Sequence, residues 1–409
     1  MSMIRVEEAL DIILRRIPSK GVEKVSITEA LGRVLSEDIV SRRDNPPMDN
    51  SAMDGYALIA ADIRSATPEA PVRLEVVEDV AAGYVAQGAA LKPGQAVRIM
   101  TGAPIPRGAD AVIMQEDTER NGKFVLVKDK AEVNENIREA GEDVREGELV
   151  IPRGVTLNPA HIGMMGVVGR SQVFVSQRPR VAVLSTGDEI KDLDENPTGP
   201  CIFNSNGYML QAQIRSAGGV PCYLGIARDN EEDLMEKFNW ALECDLVVSS
   251  GGVSVGDFDL VKASLDKIGQ EMLFWKVAMK PGKPLAFGKI GEIPIFGLPG
   301  NPVSSFVSFE QFVRPSIRKM MGCTDLRHKT VRARLTRTVK KKAGRQHFLS
   351  SMVSWNNGEF TVTPESEQGS GVLKSVVRAN SLMIFPLDAT ELREGEQVAV
   401  QLLEECVVA

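Results

Sequence analysis

Between residues 177 and 322 short apolar runs alternate with amphipathic stretches, and this alternation limits what the segment can fold into. Val181 to Leu184 reads as a strand ending in a glycine turn, followed by a helix from about Asn206 and a strand near Tyr223 to Ile226. Next come a helix over Glu231 to Leu242, a strand at Leu246 to Ser249, a second glycine turn and a helix over Leu260 to Ile268. Strands at Leu273 to Val277 and Ile293 to Phe296, then a long helix from Ser304 to Met321, complete the pattern. Such alternation gives a mostly parallel, doubly wound α/β sheet, because parallel neighbours need a crossover. Ligands bind these sheets beyond the carboxyl ends of the strands, so chemistry is expected in the loops found there.

Four loops answer that expectation. Leu184-Ser185-Thr186-Gly187-Asp188-Glu189 offers hydroxyls, backbone N–H groups and carboxylates at a strand end, a set suited to a phosphoryl group and a divalent cation. Acidic turns after strands are common, and alone this one would read as solvated. Ser249-Ser250-Gly251-Gly252-Val253-Ser254-Val255-Gly256-Asp257-Phe258-Asp259 combines close backbone approach with serine donors. It is neither a Walker A loop nor a dinucleotide fingerprint. Lys276, Lys280 and Lys283 flank a Pro-Gly turn and suit an oxyanion. In Pro299-Gly300-Asn301-Pro302, Asn301 is expected to cap the last helix and turn its N-terminus toward the same edge.

The flanking sequence has a different texture. Val6, Leu10, Ile13 and Ile17 define an amphipathic helix ending before Pro18, and Ser26-Ile27-Thr28-Glu29 reads as a capping box opening a second helix. The polar, proline-rich stretch from Arg42 to Asn50 is a boundary. From about 70 to 130, runs at Val72 to Val77, Ala96 to Met100, Ala111 to Met114 and Phe124 to Val127 mark a small β-rich unit. Asn158-Pro159 is an N-cap with proline at the first helical position, in a segment read as rejoining the N-terminal helices. Met53-Asp54-Gly55-Tyr56-Ala57, Arg98 to Pro104 and Arg138 to Asp143 read as compact polar loops. Beyond 327, Val331, Ala333 and Leu335 alternate with Arg332, Arg334 and Thr336 as in a half-buried strand. Eight Lys and Arg residues from Lys329 to Arg345 read first as a solvated face, second as an anion-binding one.

The formal charge of −7 argues against nucleic acid or an anionic membrane as the main partner. No run approaches the roughly 18 apolar residues of a membrane span, and the N-terminal stretch places acids among its apolar residues, unlike a secretory signal, so a cytoplasmic location is expected. Five scattered cysteines form no CxxC pair, and three distant histidines have no nucleophile elbow nearby. Disulfide, zinc and triad chemistry are thereby disfavoured.

In order along the chain, NPPMDNSAMDGYA, RIMTGAPIPRGADAVIMQED, NIREAGED, VLSTGDE, FNSNGYML, SSGGVSVGDFD, KPGKPLAFG and FGLPGNPVSS resemble the molybdenum insertase family, which includes the insertase domain of gephyrin. The resemblance implies a multidomain α/β plus β protein. Residues 1–44 and 144–176 would form a split N-terminal domain and 45–143 an inserted β-rich domain. Residues 177–326 would form the α/β molybdopterin-binding domain and 327–409 a C-terminal β-barrel. It implies adenylylated molybdopterin and molybdate as substrates, AMP as a product, Mg²⁺ as cofactor, and the molybdopterin adenylyltransferase as a candidate partner. A homodimer with its active site between subunits is implied too.

Carried over by position, Glu189 and Asp259 would act at the phosphate and metal, with Asp229 beside them. Thr186, Ser249, Ser250, Gly251 and Gly252 would cradle the substrate, with Pro299 and Asn301. Lys276, Lys280 and Lys283 would hold oxyanions, while Asp54, Thr101, Arg138 and Asp143 would come from the partner's inserted domain. Asp257 departs from the family, where many members have Glu. The competing readings are a molybdopterin adenylyltransferase, a tungsten-specific relative and a non-catalytic molybdopterin-binding scaffold, the last disfavoured by the acids and lysines.

Overall fold

The computed structural model describes residues 3–196, 198–251 and 270–403. The expected helix over Leu260 to Ile268, and with it Gly252, Asp257 and Asp259, lies outside the described residues. The central sheet runs, in spatial order, Val220–Ala227, Arg180–Thr186, Leu246–Ser250, Ile293–Leu298, Pro284–Ile290 and Gln270–Lys276. The first four strands are parallel, and Pro284–Ile290 runs against both its neighbours. That strand was not foreseen, because its leading proline reads as part of the preceding turn; a proline costs no ladder bond at a strand's first residue.

Both faces of the sheet are covered, which explains its near-continuous apolar strands. Along Arg180–Thr186, Val181 and Val183 pack on Leu210, Ile214, Phe312 and Ile317. Ala182 and Leu184 point the other way, onto Leu234, Phe238 and Ala241. The chain passes from Arg180–Thr186 outward to Val220–Ala227 and then returns to Leu246–Ser250 on the opposite side. The loops after Thr186 and Ser250 therefore leave the sheet at its topological switch point, where a crevice opens.

The expected helix from Ser304 to Met321 is continuous but changes character. Pro302–Ser308 and Arg314–Met320 are α-helical, while Phe309–Val313 is a π segment. Pro315 lacks the N–H that the preceding turn would need, so the regular ladder gives way there. Glu310, in the π segment, accepts from Gln213 Nε2 at 2.6 Å and meets the His328 ring at 2.6 Å.

Val22–Ser26 pairs with Gln172–Ser176 and Ile39–Val40 with Leu149–Ile151, and residues from both segments share one core. The expected second helix is only the 3₁₀ turn Ile27–Glu29, with the Thr28 N–H donating to Ser26 Oγ. Rejoining thus occurs through strand pairs, and the helix Pro159–Val167 packs into the same core. The first helix, Val6–Arg16, instead buries Val6, Ala9, Leu10 and Ile13 in the core of the central sheet. Between the two segments lies a six-stranded sheet in which Gly55–Leu58 sits between Ala111–Met114 and Gln95–Ile99. This corrects the reading of Met53 to Ala57 as a loop, which failed because four consecutive buried residues show no alternation. A Cβ on Gly55 would fall 1.9 Å from the Ile113 carbonyl oxygen, so only glycine fits.

The C-terminal sheet closes on itself. Gln346–Asn356, Glu359–Pro364, Thr330–Leu335, Gln397–Leu402 and Ser381–Phe385 form a ring, with the last paired back to the first. Closure leaves no strand unpaired along a whole side, although the start of Gln346–Asn356 extends past its neighbour. Met279–Lys280 adds to the start of Gln346–Asn356, tying the lysine loop to the barrel.

Phe238 is fully buried and Trp240, two residues on, is half exposed. Phe238→Ala should destabilise the α/β domain by about 3–5 kcal/mol, and Trp240→Ala by less than about 0.5 kcal/mol. Denaturant unfolding of both variants would check the difference.

Candidate functional site

At the switch point the Thr186-Gly187-Asp188-Glu189 turn and the Ser250-Gly251 turn stand side by side. Gly251 has φ +95°, and a Cβ there would lie 2.6 Å from the Thr186 carbonyl oxygen. Gly187 has φ +137°, and a Cβ would meet Glu189 Oε2 at 2.5 Å, so the Glu189 carboxylate folds back over the turn. Gly251 requires glycine for sterics as well as for φ, whereas Gly187 requires it for φ, since the Glu189 side chain could swing away. Asp188 and Asp229 exchange bonds, each backbone N–H donating to the other's carboxylate at 3.4 and 3.3 Å. This joins the turn after Arg180–Thr186 to that after Val220–Ala227.

These turns surround a cavity of about 430 Å³, lined by Thr186, Glu189, Asp229, Ser250, Gly251, Pro299 and Asn301 among others. Seven of the expected residues thus come together. Ser249 does not join them: its hydroxyl is buried and donates to the Phe296 carbonyl at 3.4 Å. Nor does Asn301 cap the last helix through its side chain, which donates to Ser370 Oγ at 3.2 Å, while the Ser370 carbonyl accepts from the Val303 N–H. The helix end is therefore engaged partly by the barrel region.

Asn204 and Asn206 belong to the site, although only their motif was noticed. Asn206 Nδ2 donates to Ser250 Oγ at 2.8 Å and to the Gly300 carbonyl at 2.7 Å, while its Oδ1 is buried without a partner. Thr186 Oγ1 is likewise buried and unpartnered. Orphaned polar atoms beneath a cavity floor are costly in a folded protein and are expected where a ligand completes the bonding. Asn204 caps its helix by accepting from the Gly207 N–H, and also accepts from Ser185 Oγ. The Asn-Ser-Asn run before an apolar periodicity is the signal that could have found this cap.

Lys276, Lys280 and Lys283 are exposed. Lys280 also faces a cavity of about 620 Å³ on the barrel, with Arg337, Lys341, Lys342, Arg345 and His347. The basic run thus has both characters that its sequence allows. Arg334 pairs with Glu359 and Lys340 with Glu391, while the Lys341 ammonium donates to the carbonyls of Arg345 and Leu387. Arg337, Lys340, Lys341, Lys342 and Arg345 line the cavity, and Lys329, Arg332 and Arg334 do not. Burial pushes His347 down to about 4, and the charges of Lys280, Lys341 and Arg345 act in the same direction.

The residues of the inserted unit stand apart. The Thr101 N–H and hydroxyl donate to Asp54 Oδ1 at 2.7 and 2.8 Å, and these bonds hold Asp54 below the usual carboxylate range. Arg138 and Asp143 line a separate cavity of about 480 Å³, where Asn45 Nδ2 donates to Asp143. Among the described residues no group of three His, Cys, Asp or Glu side chains could hold a metal. Mg²⁺ needs fewer protein ligands, since it retains waters and takes substrate phosphate oxygens. Glu189 and Asp229 on one cavity therefore fit it as a donor set.

A model of the MoeA N-terminal region, domains I and II, matches residues 4–169; a probable molybdopterin binding domain matches 182–319; and the MoeA C-terminal region, domain IV, matches 332–403. The molybdopterin molybdenumtransferase of Bacillus subtilis is 35% identical over 98% of this chain and 94% of its own length. Molybdopterin molybdenumtransferase 2 of Mycobacterium tuberculosis is 38% identical over 92% and 94%. The crystal structure of the molybdopterin biosynthesis moeA protein from Pyrococcus horikoshii OT3 superposes with a TM-score of 0.84 at 33% identity, covering 98% of this chain and all of that one.

Two outcomes follow from the geometry. The His347 C2 proton should titrate near pH 4 by NMR. Because the fold disfavours protonation, its contribution to stability is present above pH 6.5 and lost as pH falls toward 4, and His347→Gln should remove it. Gly251→Ala should abolish substrate binding, measured by equilibrium titration, because the turn cannot form with a Cβ against Thr186.

Proposed function

Because the chain belongs to the molybdopterin molybdenumtransferase family, we propose a mechanism for the transferase reaction that it carries out, the insertion of molybdenum into molybdopterin. We take the substrate to be adenylylated molybdopterin, with molybdate as metal donor and AMP as leaving product. The observation that carries this reading is the switch-point cavity, where unpartnered Thr186 Oγ1 and Asn206 Oδ1 lie beneath a rim bearing Glu189 and Asp229.

In this reading Thr186, Ser250 and the close glycine turn at Gly251 take the phosphate and pterin end. Glu189 and Asp229 would hold Mg²⁺, which when bound offsets the charge of the anhydride. The lysines address a different cost. Two like unit charges 4 Å apart repel by about 4 kcal/mol at an effective dielectric of 20. A molybdate dianion beside an anionic substrate is therefore brought in by Lys276, Lys280 and Lys283, with Arg345 as a further cation by the same approach. The dithiolene sulfurs belong to the substrate, so no protein thiolate is required; two S–H bonds and one Mo–O bond break as two Mo–S bonds form, that oxygen leaves with both protons as water, and hydrolysis of the anhydride by water frees the pterin phosphate and AMP.

Asp54, Thr101, Arg138 and Asp143 line no part of the switch-point cavity of their own chain. We assign them to the cavity of a second copy, in a homodimer whose sites lie between subunits. Among the described residues no helix is long and apolar enough to cross a membrane, and we place the reaction in the cytoplasm, where molybdate and nucleotide are available.

The test combines purified protein, adenylylated molybdopterin, molybdate and Mg²⁺, and follows AMP release with activation of a cofactor-free molybdoenzyme. Molybdate-dependent release that falls about 100-fold or more in Glu189→Ala supports the mechanism. Tight binding without turnover would move the assignment to a binding module, and adenylylation of molybdopterin from ATP to an adenylyltransferase. For the shared site, mixing inactive Glu189→Ala with inactive Asp54→Ala should restore about a quarter of wild-type activity, since half the dimers then carry one intact site. No recovery would place both residues in one chain's site.

A further inference from the structure

Part of the lining of the switch-point cavity is a short strap. Ile190–Lys191 and Ile202–Phe203 run as a parallel pair, with the Ile202 N–H donating to the Glu189 carbonyl and the Asn204 N–H to the Lys191 carbonyl, both at 2.9 Å. Ile202 and Phe203 line the cavity yet remain 59% and 46% exposed. Among the described lining residues Phe203 is the one aromatic side chain. A strand that leaves large apolar side chains in water gains nothing from them in folding.

The strap is held in place from behind. The hydroxyls of Tyr208 and Tyr223 donate to the two oxygens of Asp192 at 2.5 and 3.0 Å. Asn204 Nδ2 donates to the Tyr223 hydroxyl at 2.8 Å, and Asn204 Oδ1 accepts from Ser185 on the sheet. Residues 190–192 and 202–204 are thereby fixed to the strand that carries Thr186, so Phe203 is presented at a set place relative to the cavity floor. A bound planar heterocycle has apolar faces and polar edges. The cavity offers the matching pair: an aromatic face on the strap and unsatisfied or lone-pair-bearing groups of Asn206, Thr186 and Ser250 below.

We infer that Phe203, flanked by Ile202, is the surface against which the pterin ring system of the substrate stacks, and that this contact positions the heterocycle while the phosphate end lies over Gly251. The inference rests on the reading of this cavity as the molybdopterin site. Stacking of this kind favours flat, electron-rich rings over aliphatic bulk, so aromatic and aliphatic substitutions separate.

Quenching of pterin fluorescence would measure binding of molybdopterin, and of a simple pterin lacking the dithiolene, to wild type, Phe203→Ala, Phe203→Leu and Phe203→Trp. Affinity for both ligands should fall about ten-fold in Phe203→Ala and stay low in Phe203→Leu, and Phe203→Trp should retain it. Turnover at saturating substrate should change little, so the loss appears in KM. The exposed side chain predicts an unchanged unfolding midpoint for all three. Wild-type affinity in Phe203→Ala, equal affinity in the Leu and Trp variants, or a change confined to oligomeric state would each overturn the inference. If the wild-type chain itself binds no molybdopterin, the underlying reading of the cavity fails instead.

Discussion

The site depends on one close approach. Gly251 passes so near the Thr186 carbonyl that no side chain can stand between them, and this contact holds together the two loops leaving the central strands of the sheet. Parallel strands diverge in their connections at the switch point, and a crevice there would otherwise fill with side chains. Replacing side chains by backbone creates room for a ligand and leaves the hydroxyls of Thr186 and Ser250 beside bare glycine backbone. The accompanying cost is visible: Thr186 Oγ1 and Asn206 Oδ1 remain buried without partners. A fold tolerates such groups where binding later satisfies them.

The rest of the molecule supports that crevice by fixing its rims. Asp188 and Asp229 tie two strand ends reciprocally, and Asp192 receives two tyrosine hydroxyls behind the strap. On the other side, Lys280 pairs with the barrel strand Gln346–Asn356, and Asn301 reaches Ser370. A closed barrel has no strand unpaired along a whole side, so the lysine loop is anchored to a rigid neighbour. The barrel thus fixes the backbone from which Lys280 projects.

Legibility in the sequence followed periodicity. The alternation over residues 177–322 was readable because strands buried on both faces and amphipathic helices differ in pattern over long windows. Gly55–Leu58 and Pro284–Ile290 were missed because the first is four buried residues with no alternation and the second begins with proline. The π segment at Phe309–Val313 was invisible because its apolar spacing resembles that of an α-helix. At the site, glycines and acids stood out by type. The role of Asn206 depends on Ser250 and Gly300, which are distant in sequence, so no local pattern could have supplied it. Ser249 shows the reverse error: adjacent to Ser250, it points into the sheet because successive strand residues face opposite ways.

The separation of acids and cations into distinct cavities has a physical rationale. Glu189 and Asp229 at the switch point suit a divalent cation, whereas Lys280, Arg337 and Arg345 around the barrel cavity suit an oxyanion. Had these groups been interleaved in one pocket, they would have neutralised one another as ion pairs and lost their affinity for ligands of either sign. Keeping them largely apart, with Glu365 the one acid on the barrel cavity among the described residues, preserves both fields. His347 strengthens this division: as a neutral imidazole among three cations it adds hydrogen-bonding capacity to the basic cavity without adding a further charge to repel them.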